Sequence, residues 1–299
     1  MSRSAALSLL YCGAAFGSSF LFMRVAAPDL PAPVFAFGRV GLAALILLLV
    51  GRGPVLESLR ANFRHHLFLG VFMAGGPFLL FAAAEHSITA GLGAIINATT
   101  PMWTVLILVV WVRQPLTVPN LAAVAVGIAG VGLIVGLEGL AISPNAWLGV
   151  VLATCAAASY GIGLTYIRRH MAEAPPLALA FGQLAAAALV LSPFAAAGIG
   201  DAHLTPSALG AVVGIATFST AIAMPTLYRL NREVGALGAS TVTFLNPIFG
   251  VGWGVTLLGE TLSPTMLLGA TLLFVALGII LHIRPAAILT AVRAHSTGA

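Results

Sequence analysis

The sequence predicts an all-α membrane protein of ten transmembrane helices, built as two five-helix repeats with inverted topology. Three observations support this prediction: the composition, ten apolar stretches of membrane-spanning length, and a stretch of sequence that occurs twice. Of the 299 residues, 60% are hydrophobic and only 7% are charged, and the mean hydropathy is +1.08. Since soluble proteins carry roughly 25% charged residues, the composition excludes a soluble globular chain.

The ten stretches each approach the roughly 20 apolar residues that a helix needs to cross a bilayer. The predicted spans are 4–26, 32–51, 66–86, 90–112, 118–137, 145–168, 176–198, 206–230, 235–258 and 264–284. The longest connection runs from Arg52 to His65 and is expected to be a loop. Because no clear small-residue cleavage site ends the first stretch, we read it as a retained helix and not as a signal peptide.

The repeat is visible when residues 90–134 are shifted by 146 positions onto 236–280. Eight positions of the first copy then meet identical residues: Ala90, Pro101, Val105, Val109, Leu116, Leu121, Gly132 and Ile134. At an offset of 144 the beginnings of the halves match as well, with Arg24 on Arg168. Helices 1–5 are therefore expected to repeat as helices 6–10. Because five is odd, the second copy must lie upside down, which is a common transporter plan.

Each copy is expected to contain a helix broken near its middle by a proline, Pro101 or Pro247. A mid-helix proline has no N–H, so the carbonyls of Asn97 and Thr243, four residues back, would lose their partners. In a membrane, such a break persists where protein or a water-filled cavity satisfies those groups. The matched breaks predict a site near the midplane, with the prolines as hinges.

The thirteen basic residues are all arginines, and their positions predict the orientation. With the N-terminus inside, eleven fall on cytoplasmic segments, while Arg24 lies outside and Arg39 within the second helix. Such a bias places both termini in the cytoplasm. We expect a multi-pass protein of the cell inner (plasma) membrane, in which the net charge of +5 reflects orientation and not nucleic-acid binding.

Three short motifs resemble the drug/metabolite transporter superfamily, specifically its EamA-type ten-helix exporters. They are Gly-Glu-Thr-Leu-Ser at 259–263 ahead of a glycine-rich last helix, Arg-Val-Gly-Leu-Ala at 39–43, and Phe-Gly-Ser-Ser at 16–19, where the family often has Trp-Gly-Ser. The chain departs from the pattern at 113–116, where Arg-Gln-Pro-Leu replaces the expected Gly-Glu-x-Leu. The resemblance covers nearly the whole chain.

This resemblance implies an exporter of small metabolites, with helices 1, 3, 4 and 6, 8, 9 around a central cavity that opens by alternating access. The amino-acid exporters of the YddG type are closest in length and helix plan. The implied domains are one EamA-like repeat at 1–141, a second at 142–285, and a cytoplasmic tail at 286–299. Export of another small solute, such as a nucleoside, sugar or drug, is the alternative.

Arg39 is the only charge clearly inside a predicted helix, roughly 10 Å from its outer end at 1.5 Å per residue. Intramembrane charges are usually functional, and an arginine can hold a substrate carboxylate with two parallel hydrogen bonds. In the alternative, Arg39 turns toward the outer interface and pairs with Asp29, Glu85 or loop carbonyls. Its repeat partner, Gln183, is polar at the equivalent depth and is also a candidate.

Polar side chains on four other predicted helices are further candidates for substrate binding. They are Ser18, Ser19, Asn97, Thr100, Trp103, Tyr160, Thr243 and Asn246. The repeat pairs Asn97 with Thr243 and Thr100 with Asn246, which would make them facing walls of one cavity. The alternative is that these side chains bond to helix carbonyls or to neighbouring helices.

Helices 3 and 8 contain their own prolines, Pro77 and Pro225, which are expected to act as hinges. Aromatic residues near them are Phe78, Phe81 and Tyr228. Aromatic residues in membrane helices more often face lipid or pack against other helices. If these line the cavity, they suit a substrate with an apolar or aromatic body, and together with Arg39 they favour amino acids of that kind.

Other function classes are less consistent with the sequence. A membrane-embedded enzyme needs a metal or an acid/base cluster, and neither pattern is seen, so we expect no catalytic residue, cofactor or metal. A channel would need rings of equivalent residues around an oligomer axis. The expected partners are the small-molecule substrate and the lipid bilayer. The Gly132-x-x-x-Gly136 pattern would permit a weak homodimer, but a monomer fits as well.

Energy coupling is indicated by the position of the acidic residues. Glu85 and Glu260 lie at predicted helix ends, and the sequence places no Asp or Glu at midspan. Proton-driven transporters usually carry a carboxylate or histidine inside the membrane. The sequence therefore favours facilitated diffusion or exchange over a carboxylate-driven antiport.

Overall fold

The structure, a computed structural model, describes residues 2–84, 87, 93, 96–115, 117–135, 146–258 and 264–282, and these ranges are helical almost throughout. We label the main helices in chain order as α1 (Arg3–Ala26), α2 (Ala32–Ala61), α3 (Phe63–Ala84), α4 (Thr100–Val112), α5 (Val118–Val135), α6 (Ala146–His170), α7 (Pro176–Gly198), α8 (Pro206–Ser240), α9 (Val242–Leu258) and α10 (Pro264–His282). A 3₁₀ turn, Ile199–Asp201, extends α7.

Several helices are suited by length and composition to cross a membrane. In the described ranges, six stretches qualify: Arg3–Met23, Ala32–Ala61, Phe63–Ala84, Trp147–His170, Pro176–Asp201 and Pro206–Ser240. Shorter apolar helices are Thr100–Val112, Val118–Gly130 and Leu267–Ala276. The helical architecture of the described ranges, with several apolar spans, confirms the all-α membrane character of the predicted fold class.

The predicted loop between the second and third helices is wrong. α2 kinks at Arg52, whose φ of 51° lies in the left-handed region, and then continues to Ala61. Pro54 is tolerated because it lies in the first turn after the kink, where its missing N–H is not needed. Val55 is buried in the core, which holds this short helical extension against the protein.

The eighth helix is longer than predicted. α8 runs to Ser240, across a kink at Gly235 with φ 74° and ψ 173°. Glycine adopts this backbone without the steric cost that a side chain would add. The predicted start of the ninth helix at residue 235 coincides with the kink, whereas α9 begins at Val242.

The two helix breaks lie before the predicted prolines and not at them. In the described part of span 90–112, a turn at Ala98 and Thr99 precedes α4, so Pro101 lies in the first helical turn. Proline is well suited there because the first-turn N–H groups have no intrahelical partner. Pro247 does lie inside α9, but the break precedes it at Thr241.

π-helical turns interrupt α3 and α8 immediately before their own prolines. Gly70–Gly75 is π-helical ahead of Pro77, and Thr217–Ile222 is π-helical ahead of Pro225. A π turn inserts one extra residue into a helix, and such turns are frequent at functional sites. The two turns therefore mark corresponding irregularities in the two halves of the chain.

Helices from the first half pack closely against helices from the second half. α1 contacts α9, α2 contacts α7, α3 contacts α6, and α5 contacts α10. Gly17 allows the first of these contacts, because a Cβ at this position would lie 2.9 Å from the Asn246 carbonyl oxygen. Gly136 of the predicted glycine pair and the predicted tail 286–299 lie outside the described residues.

We expect Gly17→Ala to lower the thermal stability of the protein in detergent. The added methyl group would push α1 away from α9, and overpacking of this kind costs about 1–3 kcal/mol. Gly41→Ala in α2 is the matched control, since a Cβ there meets nothing within 4 Å. A thermal melt that moves equally for both variants would contradict the close approach of α1 and α9.

Candidate functional site

A cavity lies between helices of both halves. Nine of the predicted site residues line it: Ser19, Arg39, Phe78, Phe81, Asn97, Thr100, Tyr160, Thr243 and Asn246. Lining residues that the sequence reasoning did not single out are Phe16, Phe20, Met23, Met73, Leu164, Met224, Leu227, Ala239, Ser240 and Val242. The cavity therefore has a mainly apolar wall with a few polar groups, as small-molecule sites usually do.

Arg39 is the charged residue of this wall, and it is only 5% exposed. Its Nε donates a hydrogen bond to Thr220 Oγ1 at 2.9 Å. Its guanidinium carbon lies 3.6 Å from the centre of the Phe78 ring, in cation–π geometry. Both contacts hold the guanidinium in one orientation at the cavity.

The sequence offered Asp29 and Glu85 as alternative ion-pair partners of Arg39. Asp29 is engaged elsewhere, because its Oδ2 accepts a hydrogen bond from Thr205 Oγ1 at 2.6 Å and its carbonyl accepts one from the His203 N–H at 2.8 Å. Glu85 lies outside the described residues. Among the residues that the structure describes, no carboxylate forms an ion pair with Arg39. In the described ranges, the partners of its charge are a hydroxyl and an aromatic face.

Thr220 links Arg39 to the π turn of α8. Its hydroxyl donates to the carbonyl of Ile215, five residues back, at 2.9 Å, while it accepts from Arg39. Phe78, on the other side of Arg39, directly follows Pro77 and the π turn of α3. Arg39 thus contacts both helices that carry a π turn and a proline. The sequence reasoning missed Thr220, although a Ser-Thr pair at 219–220 in an apolar segment ahead of a proline was a usable signal.

Three oxygens of the cavity-lining residues have no hydrogen-bond partner in the part of the chain that the structure describes. They belong to Ser19, Asn97 and Asn246, whose side chains are 5%, 6% and 3% exposed. Buried polar atoms in native proteins are paired in the large majority of cases. These unpaired atoms therefore mark places where a bound molecule can complete the hydrogen bonding.

The threonine hydroxyls of the cavity are already used by the backbone. Thr100 Oγ1 donates to the Asn97 carbonyl at 2.6 Å, which is the carbonyl that Pro101 was expected to leave free. Thr243 Oγ1 donates to the Ser240 carbonyl at 2.8 Å. Each hydroxyl consequently offers only its lone pairs to a molecule in the cavity.

Aromatic rings form much of the apolar wall. The rings of Phe81 and Tyr160 are stacked, with centroids 6.2 Å apart and planes inclined by 21°. Both residues line the cavity together with Phe78. An apolar or aromatic group of a bound molecule can rest on these faces.

Four predicted site residues do not line the cavity. Ser18 Oγ donates to the Ala15 carbonyl at 2.8 Å, and Trp103 Nε1 donates to Thr99 Oγ1 at 3.1 Å. Gln183 and Tyr228 both contact the sulfur of Met224, at 3.8 and 3.6 Å. Since Met224 lines the cavity, Gln183 and Tyr228 form a layer behind its wall.

Comparison with known proteins identifies the family. The model of the EamA-like transporter family matches residues 3–136 and 147–282, nearly the whole chain in two stretches. The chain belongs to the EamA-like transporter family. It is therefore a membrane transporter of the drug/metabolite transporter superfamily, as the sequence motifs indicated.

Several relatives extend over most of this EamA-like chain. The uncharacterised inner membrane transporter YedA of Escherichia coli strain K12 is 29% identical over 253 residues, covering 83% of this chain and 81% of its own. The threonine/homoserine exporter RhtA of the same strain is 28% identical over 268 residues, covering 88% and 84%. A probable amino-acid metabolite efflux pump of Salmonella typhimurium is 24% identical over 291 residues, covering 93% and 94%.

Solved structures also match this EamA-like chain in fold, among them a crystal structure. It covers 98% of this chain and 99% of its own, with a TM-score of 0.75 and 16% sequence identity. At this identity the likeness establishes a common helical fold and nothing about the transported molecule.

Proposed function

We propose that this EamA-like transporter exports small metabolites that carry a carboxylate, and that its main substrates are amino acids with apolar or aromatic side chains. Transport proceeds by alternating access through the cavity between the two halves. The observation that carries this proposal is Arg39, a buried cation on the cavity wall without a carboxylate partner among the described residues.

The geometry of Arg39 suits a carboxylate ligand. Moving a charge out of water costs on the order of several kcal/mol unless a partner compensates it. Thr220 occupies only Nε, and Phe78 covers the face of the guanidinium. The two terminal nitrogens form no hydrogen bond to the described residues, and they match the two oxygens of a carboxylate.

The rest of the cavity supports a substrate with an apolar body. Phe81, Tyr160 and Met73 provide aromatic and thioether surface beside Arg39, and such surfaces bind aliphatic and aromatic groups by burying them. RhtA exports threonine and homoserine, and the Salmonella relative is named for amino-acid metabolite efflux. Both names support amino acids as the substrate class of this chain.

The proposed topology is ten helices in two inverted repeats, with both termini in the cytoplasm and the chain in the inner membrane. The family model matches in two successive stretches, which supports a repeat. The π turns begin at Gly70 and Thr217, 147 residues apart and close to the 144 and 146 offsets of the sequence repeat. The arginine distribution supports the orientation, and YedA is named as an inner membrane transporter.

The test is counterflow in proteoliposomes. Purified protein is reconstituted with unlabelled leucine, phenylalanine or threonine inside, and uptake of the same labelled amino acid is followed. We expect saturable, transient accumulation that depends on the internal amino acid, because a carrier exchanges substrate across the membrane. A panel of sugars and nucleosides serves as the comparison.

Two outcomes would overturn the proposal. If a sugar or a nucleoside shows counterflow and none of the amino acids does, amino acids are not the substrate class. Uptake that rises linearly with concentration and needs no internal substrate would indicate a channel.

A further inference from the structure

The polar groups of the cavity comprise one charged donor, Arg39, and several neutral groups that can accept hydrogen bonds. Arg39 can only donate hydrogen bonds, since a guanidinium has no acceptor. The hydroxyl protons of Thr100, Thr243 and Ser240 are all donated to backbone carbonyls, at 2.6, 2.8 and 2.7 Å. Away from Arg39, these hydroxyls therefore present lone pairs.

Ser19, Asn97 and Asn246 add to the groups that can accept, because each has a buried oxygen without a hydrogen-bond partner among the described residues. A carboxamide that turns by half a rotation about its last torsion exchanges oxygen and nitrogen within the same volume. Asn97 and Asn246 can therefore each present an oxygen to the cavity without displacing a neighbour. Among the described residues that line the cavity, none is acidic, so these acceptors are neutral.

Helix packing brings these acceptors to the cavity from both halves. Ser19 follows Gly17 on α1, and α1 approaches the Asn246 carbonyl on α9 so closely that a Cβ at Gly17 would lie 2.9 Å from it. Asn97 lies directly before the turn that precedes α4, and its carbonyl accepts the Thr100 hydroxyl across that turn. The acceptors are thus held by backbone that is itself fixed.

We propose that Ser19, Asn97 and Asn246 form a subsite for the α-ammonium group of the substrate, so that the carrier selects zwitterionic α-amino acids over carboxylates that lack an amino group. An ammonium group has three N–H donors, and three described side chains of the cavity wall each carry an oxygen without a partner among the described residues. The inference rests on the proposed function, in which Arg39 binds the carboxylate of the same molecule. An α-amino acid fits both parts of the wall, because its carboxylate accepts hydrogen bonds from Arg39 and its ammonium group donates hydrogen bonds to the other side chains.

The test compares leucine with analogues that keep its shape and change one group. Labelled leucine counterflow in proteoliposomes is inhibited by unlabelled leucine, by 2-hydroxy-4-methylpentanoate and by 4-methylpentanoate. We expect the two acids without an amino group to inhibit about 100-fold more weakly than leucine, because hydrogen bonds to a charged group are each worth roughly tenfold or more. Equal inhibition by leucine and 4-methylpentanoate would overturn the subsite and leave carboxylate export intact.

Variants then assign the preference to residues. Asn97→Leu and Asn246→Leu should weaken inhibition by unlabelled leucine by about 10- to 100-fold and leave inhibition by 4-methylpentanoate unchanged. Asn246→Asp should retain the stronger inhibition by leucine. Ser18→Ala is the matched control, since the Ser18 hydroxyl bonds to the Ala15 carbonyl outside the cavity. If inhibition by leucine and inhibition by 4-methylpentanoate weaken equally in these variants, the residues have a merely structural role and the assignment is overturned. Absence of leucine counterflow in the wild type, with another solute exchanged, would refute the proposed function itself.

Discussion

Arg39→Gln lowers amino-acid counterflow at low substrate concentration by about 100-fold or more, because it removes two charge-assisted hydrogen bonds, each worth roughly 1.5–3 kcal/mol. Glutamine keeps polarity at this position but has neither the charge nor the forked geometry. The amount of folded protein in the membrane should stay close to that of the wild type. A buried charge without an ionic partner lowers stability, so its replacement by a neutral side chain should not destabilise the fold.

Arg39→Lys should recover only part of this loss. Lysine keeps the positive charge, but a single ammonium cannot donate to Thr220 and hold both carboxylate oxygens in one plane. Arg64→Gln is the control, since Arg64 is exposed at the start of α3. Wild-type counterflow by Arg39→Gln, or a loss of folded protein equal to the loss of transport, would contradict a binding role for Arg39.

Pro77→Ala combined with Pro225→Ala slows turnover by about tenfold or more, with substrate affinity nearly unchanged. Each proline follows a π turn, and neither can donate the backbone hydrogen bond that would complete a regular helix at that point. Alanine restores the N–H group and favours a straight helix. If α3 and α8 bend at these turns as access alternates, the variant should bind substrate normally and exchange it slowly.

The measurement pairs the maximal counterflow rate with equilibrium binding of labelled leucine. Pro206→Ala provides a control on the same helix, because Pro206 lies at the start of α8, where the missing N–H is not needed. An unchanged maximal rate in the double variant would exclude Pro77 and Pro225 as hinges. If the double variant loses leucine binding as well as counterflow rate, the two prolines determine the shape of the cavity and not the change of access.

The features that the sequence predicted well are those that the membrane environment imposes. Apolar stretches must be helical in a bilayer, and α7 accordingly spans 176–198 as predicted. Arg39 stood out because a charge in such a stretch is costly. Asn97 and Asn246 stood out because polar residues near paired prolines are rare in apolar helices, and both line the cavity.

The features that were missed depend on rotation about the helix axis. Ser19 lines the cavity while Ser18, one residue earlier, bonds to its own helix. Membrane helices are apolar on both their lipid-facing and protein-facing sides, so the sequence gives little amphipathic signal to distinguish such neighbours. A π turn adds one residue and shifts the register further. Gln183 and Tyr228 were for this reason assigned to the cavity, although they lie behind Met224.

The extension of α2 was missed for a different reason. Glycines at 51 and 53, with Arg52 and Pro54, read as the end of a helix and the start of a loop. The helix does end its regular path at Arg52, but it restarts at once because Val55 can be buried against the core. Local turn signals were thus correct about the kink and wrong about what followed it.

The most direct test of the account is the affinity of leucine and of leucinamide for the wild type and for Arg39→Gln. The amide keeps the ammonium group and the side chain but has no negative charge for Arg39. We predict that the wild type binds leucine about 100-fold more tightly than leucinamide, and that Arg39→Gln binds the two equally. The same preference in both proteins, or no preference in the wild type, would contradict carboxylate binding by Arg39.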